Sequence, residues 1–170
     1  MTTTPPAIRL RVPTEEDAYA WHEVFADREV MEFLGGGPAE LSAYQELTAR
    51  QRKQDAEHGF CLWTVLDEDD RVLGFTGAQY WPRDWGPVGE IEIGWRLARH
   101  AWGGGYATTA ALATLERLRA VGVGEVVAMV DARNTRSIAV TRRLGMRHAE
   151  TFTAPVRRAE SYCFRLALGR

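Results

Sequence analysis

The apolar positions of this chain change period repeatedly between residues 8 and 168, and each change marks an element. Period-two alternation runs through residues 8–12 and stops at Pro13. It returns over 90–96, where Ile91, Ile93 and Trp95 fall on one face and Glu90, Glu92 and Arg96 on the other. Residues 60–66 and 72–80 read as strands around the polar turn Asp67-Glu68-Asp69-Asp70, a hairpin. Residues 125–130, 147–152 and 161–168 complete the strands, the last with Tyr162, Phe164, Leu166 and Leu168 on one face.

Helices are predicted between these strands. Thr14 begins the first, with Asp17 three places on to complete a cap, and it runs to residue 26. Asp27 caps a short second helix over 28–34, broken by Gly35-Gly36-Gly37-Pro38. A mostly polar helix over 39–58 carries Leu41, Tyr44 and Leu47 on one side and ends at Gly59. Another places Ala107, Ala111, Leu115 and Leu118 on one face. The last starts as N-x-x-S at Asn134–Ser137 and ends as R-L-G-M at Arg143–Met146, with Gly145 as left-handed terminator.

Residues 90–109 order the rest, because a strand there is followed by Gly103-Gly104-Gly105 and then a helix start. The first N–H groups of a helix have no internal partner and carry the positive end of its dipole, and glycines let an anion approach. The arrangement therefore predicts a phosphate or pyrophosphate held by main-chain donors. A P-loop does not fit, since its Lys and its spacing are missing. A dinucleotide fingerprint fits better, as Gly103-x-Gly105-x-x-Thr108 with Asp131 ending the next strand. Yet Thr108 replaces the third small residue, and 131 − 105 = 26 exceeds the usual separation of about 20. Residues 97–102 also intrude between strand and glycines.

Composition narrows the classes. At 170 residues and 45% hydrophobic, the chain suits one globular domain over 7–170 behind a disordered tail at 1–6. A net charge of −2 argues against a nucleic-acid partner held by bulk charge. No apolar run approaches the roughly 18 residues of a membrane span and the start lacks a signal's features, so no membrane partner and a cytoplasmic location are expected. Cys61 and Cys163 cannot build a disulfide framework or a cysteine zinc site, and His22, His58, His100 and His148 show no ligand spacing, so no metal is expected. Trp81 and Trp85 pack under their loop or form a contact surface.

Four motifs in order, E-I-G-W-x-L at Glu92–Leu97, W-G-x-G-Y-A-T at 102–108, N-x-x-S at Asn134–Ser137 and R-L-G-M at Arg143–Met146, resemble the GNAT N-acyltransferases, in particular their RimJ/RimL-like branch. The resemblance extends from residue 8 to about residue 168. Two positions depart from the family: His100 stands where the superfamily has Gln or Arg, and Thr109 where the branch has Glu.

The resemblance implies a single-domain α/β fold, with a mixed sheet of about seven strands, a splayed central strand pair and about four helices. It implies acetyl-CoA as donor and a primary amine as acceptor, attacked directly in a ternary complex. Amides around Trp102, Gly103, Gly104, Gly105, Tyr106, Ala107 and Thr108 would hold the pyrophosphate. The edge containing Ile93, Trp95 and Leu97 would pair the pantetheine arm, and Asn134 would hydrogen-bond it. Arg143, with Arg142, would meet the nucleotide's phosphates or be a solvated charge at a helix end. Glu92, favoured over Glu90, would take the ammonium proton, and Ser137 would be the acid for the departing thiolate or a capping hydroxyl.

An α-amine ionises near 7.7–8.0 and a lysine near about 10.4, so an exposed carboxylate base suits a peptide N-terminus or an amino-acid-like small molecule better. A homodimer is left open. The competing readings are an acyl-CoA-binding sensor without turnover and a dinucleotide-binding oxidoreductase.

Overall fold

A computed structural model describes residues 3–35 and 37–169, so Gly36 of the glycine break and Met1 and Thr2 of the tail lie outside the described residues. The elements are β1 (Arg9–Arg11), α1 (Asp17–Val24), α2 (Arg28–Met31), α3 (Leu41–His58), β2 (Leu62–Leu66), β3 (Val72–Tyr80), β4 (Ile91–Leu97), α4 (Tyr106–Ala120), β5 (Glu125–Asp131), α5 (Thr135–Arg143), β6 (Arg147–Thr153) and β7 (Glu160–Ala167). Five helices form among the described residues, α2 as one short turn that ends at Met31 instead of extending to residue 34. Residues 97–102 contain a 3₁₀ turn, Arg99–Ala101.

The strands form one sheet in the order β1-β2-β3-β4-β5-β7-β6. Every neighbouring pair is antiparallel except β4 and β5. β3 and β4 pair from Gly74–Leu97 to Tyr80–Ile91, and β5 and β7 from Glu125–Ala167 to Asp131–Ser161. β4 and β5 meet in register only at Glu92–Val127. Two half-sheets therefore diverge beyond Glu92, as the splayed pair requires. A sheet with one parallel pair is not the doubly wound parallel sheet of a dinucleotide oxidoreductase.

Alternation along β4 builds two cores. Ile93 and Leu97 join Ala110, Ala111, Leu115 and Leu118 of α4 on one face. On the other, α1 to α3 pack Trp21, Phe25, Val30, Met31 and Tyr44 over Leu62 and Phe75. Trp81 and Trp85 are half-buried and meet edge to face at 5.4 Å, which is packing beneath their loop. Cys61 and Cys163 are buried free thiols. Among the described residues, no helix is long and apolar enough to cross a membrane.

The Thr14–Asp17 cap forms reciprocally: Asp17 N–H donates to Thr14 Oγ1 at 3.3 Å, and Thr14 N–H donates to Asp17 Oδ2 at 3.0 Å. The same carboxylate accepts from Arg11 at 2.6 Å and from Thr64 Oγ1 at 2.8 Å, locking α1 onto β1 and β2. Burial pushes its pKa up, but the hydrogen bonds from Arg11, Thr14 and Thr64 outweigh burial and hold it below 3.8. Asp17→Asn should cost about 2 kcal/mol in urea unfolding near neutral pH. The sign follows from a depressed pKa: the contribution is present above the unfolded value of 3.8 and is lost as pH falls through the folded one. A variant as stable as the parent at neutral pH would remove Asp17 from this role.

Candidate functional site

The chain leaves β4 through the 3₁₀ turn, where the Trp102 indole N–H donates to Leu97 O at 3.0 Å and folds the run back on itself. This sets the glycines at the mouth of α4. Gly103 and Gly105 adopt φ of 77° and 81°, left-handed conformations that side chains disfavour. Gly105 is the N-cap and supplies no side-chain cap. Among the described residues the N–H groups of Gly103 through Thr108 have no hydrogen-bond acceptor, the first helical bond being Thr109 N–H to Gly105 O at 3.0 Å. The glycines are exposed, and a Cβ built on Gly103 meets nothing within 4 Å. Among the described residues, only Pro6 and Tyr106 come within 4 Å of a Cβ built on any of the three glycines.

These residues line a cleft of about 830 Å³. Its second wall is α5, whose start is fixed by Asn134 Oδ1 accepting from Ser137 N–H at 3.2 Å. That bond occupies the amide oxygen and leaves the amide nitrogen able to donate. Ser137 Oγ accepts from the Trp95 indole at 3.2 Å, so its own O–H can donate into the cleft. The Ser137 hydroxyl is therefore not the cap, which comes from Asn134. Trp95, Leu97, Trp102, Tyr106, Ala107, Thr108 and Arg143 also line the cleft, while Arg142 and His100 do not. Ile93 differs from the expectation: its side chain is a core residue, 2% exposed, and it does not line the cleft.

Glu92 lies on the opposite face of β4 from Trp95, where Gln79 Nε2 donates to its Oε1 at 3.0 Å. The carboxylate is not the exposed group expected from the sequence. Burial pushes its pKa up to about 7, with Gln79, Arg83 and Arg96 only partly offsetting it. Such a carboxylate is a stronger base than an exposed one, which narrows the gap to a lysine and weakens the preference for α-amines. Glu90 is occupied elsewhere, accepting from Arg165, which also bonds Glu125 and Glu150.

Three contributors to the cleft went unread in the sequence. Arg136 stacks 3.7 Å over the Trp102 ring, and nothing local marks this contact between α5 and the 3₁₀ turn. Arg96 lines the cleft, although its place on the polar face of β4 was legible. Thr3 to Pro6, assigned to the tail, lie along the glycine turn, with Pro6 Cδ 3.5 Å from a Cβ built on Gly105. At the acceptor rim, Arg157 of the β6–β7 loop donates to Phe33 O at 2.7 Å and to Asp131, joining that loop to the segment after α2. No cluster of His, Cys, Asp or Glu able to hold a metal occurs among the described residues.

Residues 7–147 match the acetyltransferase (GNAT) domain. The chain is 31% identical over 147 residues to an uncharacterized protein, YkkB, of Bacillus subtilis, covering 85% of this chain and 84% of the relative. A GNAT-family acetyltransferase from Bacillus anthracis superposes with a TM-score of 0.80 at 20% identity, over 99% of both chains. The putative acetyltransferase yncA of Salmonella typhimurium, solved with its cofactor acetyl-CoA, superposes with a TM-score of 0.74 at 16% identity, covering 96% of this chain and 95% of that one.

Proposed function

We propose that this chain, which belongs to the GNAT acetyltransferase family, binds acetyl-CoA in the cleft between β4 and α5 and transfers its acetyl group to a primary amine by direct attack in a ternary complex. The observation that carries the reading is the run of unpaired N–H groups from Gly103 to Thr108 opening on the cleft. Six consecutive main-chain donors at a helix start, the first three on exposed glycines, suit a diphosphate. The four motifs support the RimJ/RimL-like branch.

Bound there, the coenzyme supplies a thioester as acyl electrophile. The chain's residues then divide the work. The open edge of β4 beyond Glu92 and the Asn134 amide nitrogen hold the arm. Glu92 removes a proton from the acceptor's ammonium, directly or through water, and a main-chain N–H of residues 93–97 stabilises the oxyanion. Ser137 donates its hydroxyl proton to the departing sulfur. Glu92 projects from one face of β4, and Ser137 of α5 meets Trp95 on the other, so base and acid address the reaction from the acceptor and coenzyme sides of the splay.

Thiol release from acetyl-CoA with a panel of primary amines tests the reading. Coenzyme binding without release would identify an acyl-CoA sensor, and no binding would overturn the site. The arm contact has its own test. Asn134→Asp keeps the capping oxygen and removes the amide donor, so the melting temperature should hold while the acetyl-CoA Kd rises about tenfold, or ~1.4 kcal/mol. An unchanged Kd would leave Asn134 as a cap alone.

A further inference from the structure

We propose that Arg96 anchors a carboxylate of the acceptor, so that the amine this enzyme modifies carries an anionic group close by. The proposal rests on the acetyl-transfer reading and narrows its substrate class. Arg96 and Glu92 occupy the same face of β4, separated by Gly94, where a built Cβ would meet nothing within 4 Å. Four strand residues span about 13 Å between α-carbons, and both side chains are long, which suits a small acceptor with its amine and its anion a few bonds apart.

The surroundings of Arg96 are unusual for an arginine of this chain. Its guanidinium carbon lies 5.2 Å from the Phe25 ring centre and 5.1 Å from that of Phe75. Arg11 meets Asp17 at 2.6 Å, Arg133 meets Asp131 at 3.0 Å and Arg165 meets Glu150 at 2.7 Å. Among the described residues Arg96 has no such carboxylate within 4 Å, and its Nε is buried without a partner; the neighbouring Tyr44 hydroxyl and the more distant Glu92 carboxylate offset only part of the cost of burying its charge. Glu29, which also lines the cleft, is engaged by Arg99 at 3.3 Å, and Glu92 is held by Gln79.

A desolvated cation is disfavoured unless an anion and hydrogen bonds compensate it, and two aromatic faces supply only part of that. Arg96 nonetheless lines the cleft, whose lining also includes Val30, Phe33 and Leu34 of α2 and the segment after it. A carboxylate entering there would match the planar fork of the guanidinium in both charge and geometry. Tyr44 lies beside the guanidinium without lining the cleft. The carboxylate can belong to a free amino acid or to an acidic side chain beside a peptide's N-terminal amine.

The test compares acceptors paired so that each pair differs in this group alone: free L-amino acids against their amides, and dipeptide amides with Asp second against those with Asn second, each with acetyl-CoA and the full chain. The expected result is a kcat/KM at least tenfold higher for an anion-bearing acceptor than for the matching amide. The anion-bearing arm that is preferred identifies the source. In Arg96→Gln the ratio should fall to about one, chiefly through KM for the carboxylate acceptor, and Arg96→Lys should recover part of it.

A wild-type ratio near one overturns the proposal, and so does an unchanged ratio in Arg96→Gln; if that variant fails to fold, the wild-type ratio decides alone. If no amine releases thiol, the acetyl-transfer reading fails separately. The anion site is then judged by thermal shift of the coenzyme A-saturated protein. Stabilisation by the amino acids and not by their amides supports it, and equal shifts or none overturn it.

Discussion

Glu92→Gln should lower kcat by about 10²–10³-fold at neutral pH, because a positioned base contributes on that order and the amide cannot accept the ammonium proton. Glutamine keeps the oxygen that accepts from Gln79, so the fold should survive. In the parent, the rate should climb with pH through about 7 as the carboxyl ionises, with Arg83 and Arg96 the nearby cations that favour its charged form. The variant should lack that limb. Stability should move the opposite way. A folded pKa raised from 4.5 to about 7 contributes stability that is complete below the unfolded value and lost as pH rises through the folded one. That loss reaches roughly 3 kcal/mol at alkaline pH, and Glu92→Gln escapes it. Turnover and urea unfolding over a common pH series check both. Parental turnover in the variant above neutrality would show that Glu92 is not the base.

Gly74→Ala should remove most of the soluble protein, with a destabilisation above about 4 kcal/mol. Gly74 pairs with Leu97 at the exit of β4 and holds a φ of 141°. A Cβ there would stand 2.1 Å from Arg96 O and 3.0 Å from Leu97 Cα. Backbone is in the way on both counts, so no rotamer change relieves the overlap and β3 would have to leave β4. Because the displaced segment forms the cleft wall, any folded remainder should also bind acetyl-CoA more weakly. Expression with denaturant unfolding, followed by a thermal shift with acetyl-CoA, reads both effects. A soluble variant of parental stability would contradict the packing described for β3 and β4.

Much of this architecture is legible in one chain because local chemistry specifies it. The strand over residues 72–80 has the bounds read from the hairpin around the Asp67–Asp70 turn, and α3 ends where Gly59 adopts a φ of 79°. The Thr14–Asp17 cap, the glycine N-terminus of α4 and the Asn134 cap each rest on residues within a few positions of one another. What escaped depends on contacts between distant elements. No local pattern says that Glu92 loses water under the helices of the first half, that Arg96 lies between Phe25 and Phe75, or that Arg136 covers Trp102. Nor does β4's alternation reveal that Ile93 belongs to the core while Trp95 reaches Ser137. The choice between Glu90 and Glu92 was open for the same reason, since Arg165 lies 75 residues from Glu90 in sequence.

On the proposed reading, the single register pair between β4 and β5 makes the coenzyme's arm a missing rung of the sheet. Until it arrives, the amides of residues 93–97 on that side should exchange with deuterated solvent faster than those of β3. Once it is seated they should slow together with the amides at the start of α4. Heat resistance then becomes a function of coenzyme supply, gaining about 2.7 kcal/mol at a hundredfold excess over Kd. In a cell short of acetyl-CoA, this protein would be selectively loosened along the seam where its chemistry takes place.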